Sequence, residues 1–445
     1  MPDAIAHAAA LKHRWYALGL LMLVGLCNYI DRMCMSILQV PIKQELGLTD
    51  TQLGVLTGLA FSLLYTTMTV PLARLADRTS RKAVIAGAVV AWSLMTMACG
   101  LATEFRTLVV LRMGVAIGEA GCVPSSHALL SGFFPLHQRA RALATWAMVF
   151  PLGTLVGIAS AGWLGQLIGW RGTFTMLGGI GLALGPLVLL TLREPAHGAA
   201  SIDTAVPALR AALATLWRSP AFRNSAIAGA LIAYPLNAEL FWNGPFYGRV
   251  YGLTLGQLAL WLALLSGGAG ALGLWAGGFI ADAWGRRDAR AYLLLPAFCG
   301  FGIAPLMLLQ YFVKGFASSF SFGVGAVLLL NAYIASQAAA NQTMVAPNLR
   351  ALAAAINVLF AGTVGAALAP FATGVLSDVI AHRYGLKADS LRYAIGFSAL
   401  FGIAAGACFL RAARHFPAEL ARQRAHASVS AGEPAFSASV QVPPS

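Results

Sequence analysis

The sequence predicts an all-α polytopic membrane protein, with twelve transmembrane helices arranged as two six-helix halves. Three observations carry that prediction. Of 445 residues, 58% are hydrophobic and only 10% charged, and the mean hydropathy is +0.73. The apolar residues fall in runs, each long enough for the roughly 20 residues that a bilayer crossing requires. The chain also resembles itself. Asp77-Arg78-Thr79-Ser80-Arg81-Lys82 is matched by Asp282-Ala283-Trp284-Gly285-Arg286-Arg287, 205 positions on (77 to 282). Arg141 is matched by Arg350 and Asp31 by Glu239, 209 and 208 positions on. Near-equal offsets are the mark of a six-helix unit repeated in parallel, as in a two-half alternating-access carrier.

The spans are expected near 15–40, 52–76, 83–102, 105–130, 142–165, 171–192, 223–248, 256–281, 290–312, 318–341, 351–378 and 391–412. The first rises from Arg14-Trp15-Tyr16, whose aromatics suit a membrane interface, and breaks near Pro41. It is too long for a signal-peptide core, carries Asp31-Arg32 and lacks a small-residue cleavage site, so it stays as a helix. Thr49 and Asp50 supply N-cap chemistry for the second. A short charged loop, Ala73 to Lys82, leads to the third, and the fourth carries Arg112 and Glu119. The loop Pro135 to Arg141 opens the fifth, where Pro151, Gly153 and Gly157 permit bending and close helix approach. Residues 193–222 form the longest interior loop and the boundary between halves, with an amphipathic stretch from Val206 to Trp217 suited to the membrane surface. The units are thus a tail 1–13, a first half 14–192, a central loop 193–222, a second half 223–412 and a tail 413–445. Within that tail, 428–445 has too few large apolar residues to fold.

Charge placement fixes the orientation. With the N-terminus inside, twenty Lys/Arg fall in cytoplasmic loops and tails, eight in outer loops, and only Arg32 and Arg112 within spans. That asymmetry follows the positive-inside rule and places both termini in the cytoplasm. The net charge of +14 therefore reflects topology rather than nucleic-acid binding. The six cysteines all lie in apolar spans without Cys-x-x-Cys spacing and read as free apolar residues, with neither disulfide nor metal.

The intramembrane charges are the candidate chemistry. A charge at mid-membrane costs about 2.5–3.5 kcal/mol on insertion scales and normally faces an interior with a partner. Arg112 and Glu119 are seven residues apart, two helical turns, so both project from one face at roughly 10 Å spacing. Together with Asp31 and Arg32 they neutralise one another if the first and fourth helices touch. Two readings stay open, a working transport centre and a neutralised structural core. A low dielectric favours the protonated form of a carboxyl and an adjacent arginine favours the ionised form. A carboxyl whose arginine moves can therefore pick up and release a proton. Glu119 is the better candidate, because Asp31 has Arg32 next in sequence and can stay paired. The guanidinium fork of Arg32 or Arg112 suits a phosphate or carboxylate headgroup, or serves as a fixed counter-ion. His127 and His137 lie near helix ends and read as interface residues.

Other classes fit less well. An intramembrane enzyme would need histidines grouped at one membrane depth, and they lie instead in tails, loops or helix ends. A sensor would normally add a soluble output domain. No Gly-x-x-x-x-Gly-Lys-Ser/Thr occurs, which argues against ATP coupling. No cofactor is expected, and the partners are a small-molecule or lipid substrate, protons and membrane lipids, with the protein acting as a monomer.

The helix 2–3 loop resembles the Gly-x-Leu-x-Asp-Arg-x-Gly-Arg-Arg signature of the major facilitator superfamily. Ala73 and Ser80 stand where glycines are usual, while the second copy keeps Gly277, Gly278, Asp282, Gly285, Arg286 and Arg287. Asn28-Tyr29-Ile30-Asp31-Arg32, the segment Leu53 to Phe61, Ala73 to Lys82, Arg112 through Gly118-Glu119-Ala120, Pro151-Leu152-Gly153 and Gly169-Trp170-Arg171 are most similar to the Spinster family, in its bacterial branch. Organic-anion symporters share the Asn-Tyr-x-Asp-Arg start. The superfamily implies the major facilitator fold and a gating role for Asp77, Arg78, Arg81, Lys82, Asp282, Arg286 and Arg287, which would tie the halves together when the carrier opens outward. The Spinster resemblance implies proton-coupled movement of amphipathic lipids, of lysophospholipid or sphingoid-phosphate type, through a cavity lined by helices 1, 4, 7 and 10. Carried over, Glu119 and Asp31 become proton-coupling residues. Arg32, Arg112, Asn237, Glu239, Trp242, Asn331, Tyr333 and Gln337 become substrate-binding residues. A small organic anion or a drug-like amphiphile is the alternative cargo.

Overall fold

A computed structural model describes residues 13–194 and 209–430. Most of the expected N-terminal tail, part of the central loop and the last fifteen residues of the C-terminal tail lie outside the described residues. Ten helical stretches among the described residues are long and apolar enough to cross a membrane. They are α1 (Arg14–Ile37), α2 (Asp50–Arg78), α3 (Arg81–Cys99), α4 (Phe105–Phe133), a long stretch His137–Thr191, α8 (Leu255–Gly285), α9 (Ala291–Phe312), α10 (Phe316–Thr343), α11 (Leu352–Tyr384) and α12 (Ser390–Gln423). The long stretch holds two helices that meet at Gly169, whose φ of 71° is left-handed and suits glycine. We call them α5 (137–168) and α6 (170–191). They run in opposite directions, because α5 lies alongside α1 in parallel, Gly153 on Tyr29 and Gly157 on Met33, while α6 runs back along α3, Gly178 on Met97 and Gly185 on Val90. The twelfth span, α7 (Pro220–Tyr251), stands outside the ten, its apolar character interrupted by Pro235, Asn237, Glu239, Asn243 and Pro245.

The repeat seen in the sequence is visible in the local structure. Thr49 and Gln52 form a capping box at the start of α2, and Thr254 and Gln257 form its counterpart at the start of α8. In each box the Thr side chain accepts an orphan N–H of the first turn and the Gln side chain returns the favour. Both helices then pass through a π-helical stretch, Val55–Leu59 and Ala263–Ala269. The amphipathic segment in the central loop is helical over Leu209–Arg218. At the C-terminus the helix continues to Ser430 rather than ending near 412, so the expected boundary falls inside a helix. Its polar extension is water-compatible, with Arg422 3.6 Å from Glu419 one turn back.

The most extensive seams between the halves are α2 against α11 and α5 against α8. The first is close enough to require glycine. A Cβ on Gly54 would lie 2.5 Å from the Pro370 carbonyl oxygen, and one on Gly374 would collide with the Asp50 carbonyl. Large apolar side chains such as Leu101, Leu190, Val358 and Trp275 project outward, as a bilayer-facing surface allows.

Candidate functional site: a buried charge quartet beside a central cavity

The first and fourth helices do touch, and their charges pair crosswise. Arg32 lies 2.9 Å from Glu119, while Asp31 faces Arg112 at 3.9 Å and accepts a 2.7 Å hydrogen bond from the Thr96 hydroxyl. The expectation that Asp31 stays with its sequence neighbour Arg32 is not met. Adjacent residues on a helix point about 100° apart, so the two diverge around α1. Asp31 turns towards α3 and α6, beside a 70 Å³ void bounded by Cys27, Ser93, Thr96 and Gly178. Arg32 turns towards α2 and α4. There its guanidinium lies 4.5 Å from the Tyr65 ring, 4.7 Å from Phe61 and 5.6 Å from Tyr29. Arg112 lies 5.1 Å from the other side of the same cluster, on Phe61. Aromatic faces stabilise a guanidinium by roughly 0.5–2 kcal/mol each. Glu119, Asp31 and Arg112 are buried, and Arg32 keeps 20% side-chain exposure.

The central cavity, about 350 Å³, lies next to this quartet rather than around it. Its wall comes from α1 (Tyr29), α5 (Phe150, Pro151, Thr154), α7 (Leu236, Asn237, Glu239, Leu240), α8 (Ser266, Gly270, Ala271, Leu274) and α10 (Val327, Asn331, Ile334). The expected lining by α1, α7 and α10 is present. That by α4 is not, and α5 and α8 take part instead. None of the four charges lines the wall. Tyr29, whose ring lies under Arg32, connects the two regions.

Of the residues expected from the second half, Asn237, Glu239 and Asn331 reach the cavity and three do not. Trp242 is buried and donates its indole N–H to the Pro370 carbonyl at 3.0 Å, fixing α7 on α11. Gln337 donates to the Ser225 carbonyl at 2.8 Å, and Tyr333 packs on Phe409. Helical phase explains the division. At roughly 100° per residue, Tyr333 and Gln337 point about 200° and 240° round the helix from Asn331.

The Major Facilitator Superfamily profile matches residues 21–370. The chain belongs to the major facilitator superfamily. It is a multi-pass membrane transporter. An MFS-type efflux pump of Mycolicibacterium smegmatis is 33% identical over 85% of this chain and 87% of its own length. The probable L-galactonate transporter of Escherichia coli is 28% identical over 63% of this chain and 65% of its own. A crystal structure of a bacterial homologue of the human lysosomal transporter Spinster, in an inward-facing and unoccupied conformation, superposes with a TM-score of 0.84. It is 26% identical and covers 92% of this chain and 98% of the homologue, in line with the Spinster resemblance of the sequence.

In this facilitator the two ends of the bundle differ. At the end opposite the termini, Asp50 of α2 accepts a two-pronged contact from Arg249 of α7 (2.8 and 2.7 Å), one from the Lys43 ammonium (2.5 Å) and one from the Ser377 hydroxyl of α11 (2.7 Å). Asp378 of α11 answers across the same seam. It accepts the backbone N–H groups of Asp50 and Thr51 at 3.1 and 2.7 Å and the Thr51 hydroxyl at 2.7 Å. Ser36 and Gln39 add bonds to the Leu240 and Phe241 carbonyls of α7. The sequence reading gave Asp50 a capping role only. Its partners lie as far as 328 residues away, and the second-half residues of this latch carry no local motif. Nearby, Trp170 and Arg171 donate to Glu45, holding its carboxyl below the usual range, and Arg171 also reaches the Gly100 and Ala102 carbonyls. Gly169, which turns α5 into α6, is what brings these two residues there.

The end that carries the termini holds the two charged loops, where three side-chain contacts each lie within one half. Arg81 lies 3.1 Å from Asp77, Ser80 donates to Glu194, and Tyr292 donates to Asp282 at 3.0 Å. Arg78, Arg286 and Arg287 are exposed, and Lys82 is half-buried.

Proposed function

We propose that this facilitator couples protons to the movement of an amphipathic, lipid-like substrate of lysophospholipid or sphingoid-phosphate type, by alternating access across the bacterial inner membrane. With both termini cytoplasmic, as the distribution of Lys and Arg argues, the conformation described is closed outside and faces inward. Glu119 is the proton carrier in this reading. Its ionised form depends on Arg32, so a shift of α1 against α4 that parts them lets the carboxyl take up a proton. Arg32, the most exposed of the four charges, meets the phosphate of the headgroup. Asp77 and the arginines of the two charged loops form the opposite latch when the carrier opens outward.

The observation that carries the cargo class is the composition of the cavity. Leu236, Leu240, Ala271, Leu274, Val327 and Ile334 give the cavity a largely apolar lining, broken by Asn237, Glu239 and Asn331, and Arg32 stands behind Tyr29. Each methylene buried on such a wall contributes about 0.8 kcal/mol, close to fourfold in affinity. A homologous series of lysophospholipids or alkyl phosphates, competed for binding to the purified protein, should therefore tighten with chain length at constant headgroup. The similarity to an L-galactonate transporter supports a second reading, a small organic anion. Chain-length-independent binding, or tighter binding of a short sugar acid, would establish that reading instead.

A further inference from the structure

Glu239 stands apart from the other intramembrane carboxyls. It is 2% exposed and lines the central cavity, yet no arginine, lysine or histidine pairs with it among the described residues. One oxygen, Oε2, has no hydrogen-bond partner. The other, Oε1, lies 3.2 Å from the Tyr311 hydroxyl. That hydroxyl also lies 2.8 Å from Asn243 Oδ1 and owns a single hydrogen, so it can satisfy one of the two acceptors. The shorter contact takes it. A proton on Glu239 supplies the hydrogen that the longer contact lacks. An ionised carboxylate at this position would be a buried charge without a counter-ion, which proteins avoid.

The surroundings offer nothing else to hold the charge. From α9 the carboxyl meets Tyr311 and Gln310, and within α7 itself Asn243 and Tyr247 continue the network. From α10 and α5 it shares the cavity with Asn331 and Thr154, and from α1 with Tyr29, behind which lies Arg32, already paired with Glu119. Among the described residues the titratable groups facing it are therefore phenols, and no free cation stands beside it. What can reach it is a ligand. The cavity wall bears the edge-to-face ring pair of Tyr29 and Phe150, 5.5 Å apart, which favours a cation entering the same space.

We infer that Glu239 is a second proton carrier of the transport cycle, holding a proton in the conformation described and releasing it to water when a cationic group of the cargo enters the cavity. The inference rests on the reading of this cavity as the cargo site. It differs from the role of Glu119, whose discharge depends on a protein arginine and not on occupancy.

Dodecyltrimethylammonium tests it, because this permanent cation has no proton of its own and any proton released must come from the protein. The full chain is placed in phosphatidylcholine nanodiscs in weakly buffered medium, with empty discs as the baseline. Binding is followed by tryptophan fluorescence and release by an indicator dye. The wild type should release about one proton per bound cation, and Glu239→Gln should release less than about a fifth of that per cation bound, as linkage between the two occupancies demands. Glu239→Asp, which keeps the carboxyl, should restore release. Should Glu239→Gln fail to fold, the Asp variant alone decides, since a folded Asp variant that binds the cation without release overturns the inference. So does undiminished release from Glu239→Gln, or a wild type that binds without release or fails to bind. If the cation fails while alkyl phosphates bind with chain-length dependence, the proposed function stands and only this inference falls. If neither binds, the cargo-site reading falls with it.

Discussion

Replacing Asp50 with Asn should release the latch at the end opposite the termini. The carboxylate is 3% exposed and faces two cations, Arg249 and Lys43, whose side chains keep 16% and 28% exposure. Breaking a fully buried pair from one side costs about 3–5 kcal/mol. Solvent screening of these partly exposed cations and the hydrogen bonds an amide retains reduce that to about 2 kcal/mol. The two cations would also repel each other without the acid between them. A loss of about 2 kcal/mol from the closed state is close to a 30-fold change in the closed-to-open ratio. Spin labels on Leu101→Cys and Tyr384→Cys, both highly exposed at this end and one on each half, would report it as a longer distance population in a background free of the native cysteines. Arg249→Leu should have a similar effect, and combining it with Asp50→Asn should add little, because the two share one interaction. Unchanged distances in Asp50→Asn, or a ratio that moves by less than about threefold, would refute the latch.

Three further outcomes follow from the same geometry. Glu119→Gln keeps the shape of the side chain but cannot titrate, so proton-driven flux in vesicles should disappear while the protein still folds; a normal proton dependence would exclude Glu119 as the carrier. Asp77→Asn should favour the conformation described, because here Asp77 pairs, among the described residues, with Arg81 of its own half; reporter thiols at the terminus-bearing end that label as in the wild type would count against a second latch. Gly169→Ala places a side chain at a φ of 71° and a ψ of 170°, a conformation almost confined to glycine, which costs about 1–3 kcal/mol, and the melting temperature should drop by a few degrees; an unshifted melting curve would mean that the α5–α6 turn does not need this positive-φ conformation.

Much of this fold was legible because the bilayer simplifies the code. Twelve apolar runs became twelve spans, and the repeated Asp-Arg loops announced two halves before any contact was known. The capping box at Thr49 and Gln52 has its counterpart at Thr254 and Gln257 for the same reason. Pairing was less legible than placement. That α1 and α4 would share charge follows from their composition, but which acid meets which arginine depends on helical phase, and Asp31 and Arg32 leave α1 in different directions. The cavity wall was misjudged at Trp242, Tyr333 and Gln337 for a related reason, since polar or aromatic character does not say which face of a helix it serves. Asp50 was legible only as a cap. Its role in joining the halves depends on Arg249, 199 residues away, and on Asp378, 328 away, with nothing local to mark either.

The repeat also shows where the halves have diverged, and that divergence bears on coupling. Asp31 and Glu239 are counterparts in the two copies. The same offset of 208 carries Arg112 to position 320 and Glu119 to position 327, where the chain has Phe320 and Val327. The second half has therefore kept a carboxyl on its first helix without the arginine and the acid that accompany it in the first. In the first half the charges cancel inside the protein, and in the proposed cycle their state responds to movement of α1 against α4. In the second half Val327 lines the same cavity as Glu239, and on our inference the cancelling charge is a proton or part of the cargo. A carrier so built would sense conformation with one half and occupancy with the other. The arrangement predicts that introducing an arginine, Val327→Arg, would pair with Glu239, abolish cation-driven proton release and leave the Arg32–Glu119 pair in place.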